Sequence, residues 1–288
     1  MWRAIILAGC STDLPGPPKF RPGPLPMPRF CANLSFLFTE LPFPERFAAA
    51  ARAGFRGVEY LFPYDWPVAD IAVWLREAGL EQVLFNLPVG GWAAGERGCA
   101  CHPGREAEFR AGLEQALEYA AALGCTRLHA LAGLRPAGVS EAELEATFLE
   151  NMGAAADACA RQGVTLLMEP INSRVDMPGY WLDTPARAFA LQAQAGREGL
   201  LVQLDLYHAQ VMAGDLARTL ETQLARIGHI QVADNPGRQE PGTGEIHYPY
   251  LFALLDRLGY QGWVGCEYRP RAGTEAGLGW LRPWQAEA

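Results

Sequence analysis

Positive charge is in short supply along this 288-residue chain: 24 Lys and Arg stand against 32 Asp and Glu, for a formal net charge of −8. A broad basic surface is absent, so nucleic-acid binding through phosphate neutralisation is not expected. An anionic ligand would have to be held locally. Cysteine occurs seven times without the spacing of a disulfide framework, which predicts reduced thiols and a cytoplasmic setting. No apolar run approaches the roughly 18 residues of a membrane helix. No Gly-x-Gly-x-x-Gly follows the first strand-like run, and the glycines of 237–244 lack the Lys-Ser/Thr of a phosphate-binding loop. Cys99-Ala100-Cys101-His102 has no second ligand pair for structural zinc and is read as a loop.

Half of the residues are hydrophobic and 19% are charged, enough apolar surface for a large core. Segment 15–28 is crowded with proline and glycine, and residues 1–27 are expected to be a tail outside the fold. Leu7-Ala8-Gly9-Cys10 resembles a lipoprotein cleavage site, but the apolar stretch before it is at the lower limit for a signal peptide. Met27, just before the first strand-like run, is a candidate initiator, and one domain is expected over 28–288.

Eight short apolar runs follow, at 30–34, 57–61, 82–87, 127–131, 164–168, 200–204, 229–233 and 263–266. Between them lie amphipathic stretches at 44–53, 68–78, 105–123, 141–162, 185–195, 215–224 and 248–258. Glycine follows many of these, as expected after a helix C-terminus. Eight alternations with doubly buried strands predict an α/β fold, a single (β/α)8 TIM barrel, over the competing open doubly wound sheet.

In such a barrel, functional groups sit where strands end. The strand ends carry Glu59, Asn86, His129, Glu169, Asp205, Gln231 and Glu267. Glu169, Asp205, Gln231 and Glu267 come from four consecutive strands and should converge at the barrel mouth. Three carboxylates together repel unless a cation lies among them. Oxygen-only ligands suit a hard divalent cation, magnesium or manganese, better than zinc. Helix capping is the alternative for any one of them, although Glu is a poor N-cap. His208, three residues after Asp205, can reach a substrate oxygen or be a satisfied core histidine. Arg238 offers a guanidinium fork to a carboxylate or is a solvated surface charge.

The segments Met168-Glu169-Pro170-Ile171-Asn172, Asp205-Leu206-Tyr207-His208, Gln231 to Gly242 and Gly265-Cys266-Glu267-Tyr268 resemble the hydroxypyruvate isomerase family of xylose-isomerase-like barrels. The likeness runs from Phe30-Cys31-Ala32-Asn33 through Phe85-Asn86-Leu87-Pro88 and Cys101-His102-Pro103-Gly104 to Trp280-Leu281-Arg282. The resemblance implies a metal on Glu169, Asp205, Gln231 and Glu267, with the two glutamates also moving protons. Related ketose 3-epimerases carry His where Gln231 stands. It further implies that His208, Arg238, Asn86 and Glu59 bind a small anionic 2-oxo or hydroxy acid, with hydroxypyruvate converted to tartronate semialdehyde through an enediolate. A 2-oxotetronate isomerase or ketose 3-epimerase could use the same residues. A barrel endonuclease would need more histidines than the five present, and a silent sugar-acid-binding protein would not need both glutamates. A membrane partner is not expected, and self-association is open.

Overall fold

The computed structural model describes residues 28–284; the proposed tail and candidate start at Met27 lie outside them. Eight parallel strands close into one barrel in sequence order: β1 (Arg29–Asn33), β2 (Gly57–Tyr60), β3 (Glu81–Asn86), β4 (Arg127–His129), β5 (Thr165–Met168), β6 (Leu200–Asp205), β7 (Ile227–Val232) and β8 (Trp263–Cys266). β1 pairs with β8 from Arg29 opposite Trp263 to Ala32 opposite Cys266, so no edge is left open. The expected (β/α)8 architecture is what forms.

Around the barrel run α1 (Phe43–Arg52), α2 (Val68–Ala78), α3 (Glu106–Leu123), α4 (Glu141–Ala160), α5 (Pro185–Ala195), α6 (Leu206–Met212), α7 (Leu216–Gln223), α8 (Tyr248–Arg257) and the single turn α9 (Thr274–Gly277). The start of α4 shows how the sequence sets a boundary. Ser140 accepts from the Glu143 backbone N–H, and Glu143 reaches back to the Ser140 N–H, satisfying donors that the helix leaves unpaired. The helix α6 was not expected; it begins directly on Asp205, whose Oδ1 accepts from the Tyr207 N–H at 2.8 Å. Asp205 therefore caps a helix with one oxygen and leaves the other for the site.

Strand side chains alternate between the helices and the barrel interior. On β7, Ile230 and Val232 face outward into the main core, and His229 and Gln231 alternate with them. A small separate apolar cluster of Cys31, Val83, Leu84, Leu167 and Trp263 fills the barrel floor. Above it the interior is polar. Gly265 is required there, because a Cβ would lie 2.4 Å from Glu59 Oε1. Register shifts at Val58/Glu59 and Val202/Gln203 re-aim the chain where two buried polar side chains enter this layer. All six cysteines among the described residues are buried free thiols, as expected. No helix among the described residues is long and apolar enough to cross a membrane.

Candidate active site

Seven of the eight expected site residues line one cavity of ≈ 230 Å³ at the strand ends: Glu59, Asn86, Glu169, His208, Gln231, Arg238 and Glu267. Asp205 lies against it, its Oδ2 3.6 Å from His208 Nε2 and 3.8 Å from Arg238 Nη2. All eight are buried.

The two glutamates are joined by an amide bridge. Gln203 Nε2 donates to Glu169 Oε2 (3.0 Å) and to Gln231 Oε1 (2.6 Å). Gln231 Nε2 donates onward to Glu267 Oε2 and Glu59 Oε1, both at 2.7 Å. The Gln231 oxygen thus faces Gln203, and its nitrogen faces the carboxylates. Asn33 Nδ2 also donates to Glu267 Oε2 (2.9 Å) and Glu59 Oε1 (3.0 Å).

Glu59 lies beneath the others, fully enclosed. His229 Nε2 pairs with its Oε2 at 2.6 Å, so each oxygen is already occupied. Burial opposes its charge, yet His229, Gln231 and Asn33 hold its carboxyl below the usual range. Asn86 likewise bonds inward, its Oδ1 3.1 Å from His129 Nδ1. Burial, followed by the neighbouring His229, lowers the pKa of His129 to about 3, so that imidazole is neutral.

For Arg238 the sequence left open a fork that grips a substrate carboxylate or a solvated surface charge; it is 8% exposed, which excludes the second. Its Nη1 donates to Asp176 Oδ1 (2.9 Å) and its Nη2 to Glu267 Oε1 (2.6 Å). The fork is thus shared between two protein carboxylates. Despite its burial, Asp176 is held below its usual range by Arg238, Asn172 and Tyr207.

Glu169, Asp205 and Glu267 crowd their charges into one enclosed space, and only Glu267 has both oxygens hydrogen-bonded. Burial, then the charges of Glu267 and Asp205, push Glu169 well above the carboxylate range. Burial lifts Asp205 to about 6 and Glu267 to about 8, in both cases against the pull of Arg238. Among the described residues, Glu169 Oε1 and Asp205 Oδ2 find no hydrogen-bond partner although both are buried. With His208 Nε2, oxygens of these two residues lie within 4.8 Å of one another. Two orphaned carboxylate oxygens around a common point fit a hard cation.

His208 fits a different role. Asn172 Oδ1 accepts from the Val175 and Asp176 N–H groups (2.9 and 3.0 Å), so its Nδ2 faces His208 Nδ1 at 2.7 Å. His208 Nδ1 must therefore accept, leaving the proton on Nε2. The Arg238 Nη2 contact to Nε2 is 3.4 Å, too long to reverse that choice. Burial and Arg238 keep the ring neutral. A histidine ligating through Nε2 would instead donate from Nδ1, so this tautomer presents an N–H to the cavity.

Sequence reasoning left Asp176, Asn172, Gln203 and His229 without roles. His229 had a signal, standing two residues before Gln231 and hence on the same strand face. Asp176 and Asn172 belong to the irregular segment after β5, where no periodicity marks direction. The Cys99–His102 segment forms a loop as expected, with His102 Nε2 2.6 Å from the Leu134 carbonyl oxygen.

The sequence profile of the xylose isomerase-like TIM barrel family matches residues 47–284. The chain is 55% identical to a 2-oxo-tetronate isomerase of Cupriavidus necator over 258 residues, 90% of this chain and 99% of that one. It is 49% identical to the hydroxypyruvate isomerase of Escherichia coli over 259 residues, 90% and 100% of the two chains. A crystal structure described as an AP endonuclease, family 2, from Brucella melitensis superimposes with a TM-score of 0.88 at 52% identity, covering 90% and 100%.

Proposed function

The chain belongs to the xylose isomerase-like TIM barrel family and is an isomerase, and from that premise we propose that it interconverts hydroxypyruvate and tartronate semialdehyde. The observation that carries this reading is the pair of buried glutamates, Glu169 and Glu267, facing one small cavity and joined through Gln203 and Gln231, with both carboxyls raised above the usual carboxylate range, Glu267 to about 8. A group that must take up and release a proton near pH 7 works best with such a pKa.

Hydroxypyruvate carries a hydroxymethylene at C3 beside the C2 ketone. One glutamate removes a C3 proton, and the electron pair left behind forms the C2–C3 double bond of an enediolate. The other glutamate delivers a proton to C2, while the C3 hydroxyl proton ends on the C2 oxygen. Atoms balance without any oxidant. The Gln203–Gln231 bridge holds the two glutamates in register, and the His208 Nε2–H orients a substrate oxygen. Asn86 and Glu59 act from beneath, through His129 and through Gln231. Arg238 fixes Glu267. A divalent cation, magnesium or manganese, held by Glu169 and Asp205 with Glu267, would supply Lewis acidity to the developing oxyanion; Gln231 would complete the set only by turning its oxygen from Gln203 toward the cation.

The 55% identity to a 2-oxo-tetronate isomerase favours a second substrate reading, a 2-oxo acid longer by one hydroxymethylene. Both readings need the same glutamates. Incubating the protein with both acids in deuterated water, and following C–H exchange by NMR, separates them. Glu169→Gln and Glu267→Gln should each lower turnover by about 10²–10⁴-fold while folding is kept. Near-normal turnover of either variant in metal-loaded protein would remove that glutamate from the chemistry.

A further inference from the structure

The same cavity poses a charge problem that Arg238 does not solve. Its walls include Glu59, Glu169, Asp176 and Glu267. Arg238 already donates to two of these, and both cavity imidazoles are held neutral. An anionic substrate needs a cation whose charge is not already shared among protein carboxylates.

Arg97 meets that requirement. It lines the cavity and, among the described residues, makes no ion pair. Its Nη1 donates to the backbone carbonyls of Trp92 (3.0 Å) and Glu96 (2.7 Å), and among the described residues Nε and Nη2 have no acceptor. The carboxylate of Glu96, next in the chain, is taken by Arg105 at 2.8 Å. The guanidinium lies over the Trp92 ring, 4.0 Å from its centroid, and Trp92 packs on Phe62. Stacking of this kind fixes the plane of the fork while its edge stays available. The backbone beside it is anchored as well. Gly98 bridges to Ala132 beyond β4, and a Cβ at Gly98 would stand 2.4 Å from the Leu131 carbonyl oxygen at a φ of +92°. Arg97 is therefore placed before any ligand arrives, which lowers the ordering cost of binding.

We propose that Arg97, stacked on Trp92, receives the carboxylate of the substrate and selects 2-oxo acids over neutral ketoses of the same length. This deepens the isomerase reading and rests on it. Arg269 also lines the cavity, but it is exposed and its side chain makes no hydrogen bond among the described residues, so it is the natural comparator.

The test compares hydroxypyruvate with hydroxyacetone, in which a methyl group replaces the carboxylate. Arg97→Met should lose about 10–100-fold in kcat/KM for hydroxypyruvate, chiefly through KM, the loss expected for a charged hydrogen bond. Its kcat/KM for hydroxyacetone should change far less, and Arg97→Lys should recover part of the loss. Equal losses on both substrates, an unchanged KM, or a KM rise that follows Arg269→Met instead would overturn the assignment. If wild-type protein turns over no 2-oxo acid, the isomerase reading fails separately. Calorimetric titration with glycerate then still decides the role of Arg97: weaker binding by Arg97→Met supports it, whereas equal binding by both proteins, or none by wild type, overturns it.

Discussion

Glu59→Gln probes the layer beneath the site. The substitution keeps the shape of the side chain and removes the charge that pairs with His229 at 2.6 Å in a fully enclosed position. Taking the charged acceptor from a buried, hydrogen-bonded donor leaves that donor unsatisfied, which costs about 1–3 kcal/mol, and more where a charged group is involved. The near-isosteric amide keeps one acceptor, which places the expectation at about 3 kcal/mol. For a barrel of this size that is a fall in Tm of about 6–12 °C. The sign with pH is fixed by the carboxyl's lowered pKa. Its contribution is present above the ordinary value of 4.5 and disappears as pH falls through the lower folded value, so the gap between variant and wild type should narrow in acid. His229→Gln should cost a similar amount, and the double variant less than the sum of the two. Turnover should fall about tenfold, since Glu59 Oε1 accepts from Asn33 and Gln231, both of which position Glu267. Thermal unfolding at pH 7 and pH 4, with steady-state kinetics on the same preparations, reads all of this. A Glu59→Gln protein with wild-type Tm and a raised KM would refute the reasoning and make Glu59 a substrate contact.

Chelator-stripped protein should gain Tm on addition of Mn²⁺ or Mg²⁺, and more at pH 8 than at pH 6, because Asp205 (about 6) and Glu267 (about 8) must release protons to hold a cation. Without metal, raised carboxyls stabilise the fold only while protonated, so the stripped protein should itself lose stability over that window; a pH-independent metal shift in a thermal melt would contradict both statements. Asn172→Asp should lower kcat at least tenfold with Tm changed by a few degrees, since a carboxylate cannot donate to His208 Nδ1 and also meets Asp176; turnover equal to wild type would show that the His208 tautomer is not set there.

Eight buried apolar runs and seven periodic helices were enough to specify the barrel, and Val68–Ala78, Pro185–Ala195 and Trp263–Cys266 form with the expected bounds. The helix Leu206–Met212 was hidden because seven residues carry too little periodicity and Asp205 ends a strand as well as starting a helix. Strand-end positions named the residues at the cavity, since the fold itself delivers those ends to one face. What each atom bonds to was not legible. Asn33 meets Glu267 across 234 residues, Arg238 meets Asp176 across 62, and no local pattern encodes such encounters. Arg97 shows the limit from another side, because an arginine beside a tryptophan in a glycine-rich loop has no period to betray its direction.

Closure of the barrel has a consequence for how the molecule comes into being. β1 is synthesised first, yet its second neighbour, β8, lies at the far end of the chain. Until then β1 and β7 each expose a row of unpaired backbone groups, the condition under which growing chains join wrong partners. The strand that seals them leads directly into Glu267, which on arrival accepts from Asn33 at the end of β1. Sealing the wall and delivering the last carboxylate are thus one event in the life of the chain, and a nascent barrel missing its eighth strand has neither a closed sheet nor a complete site.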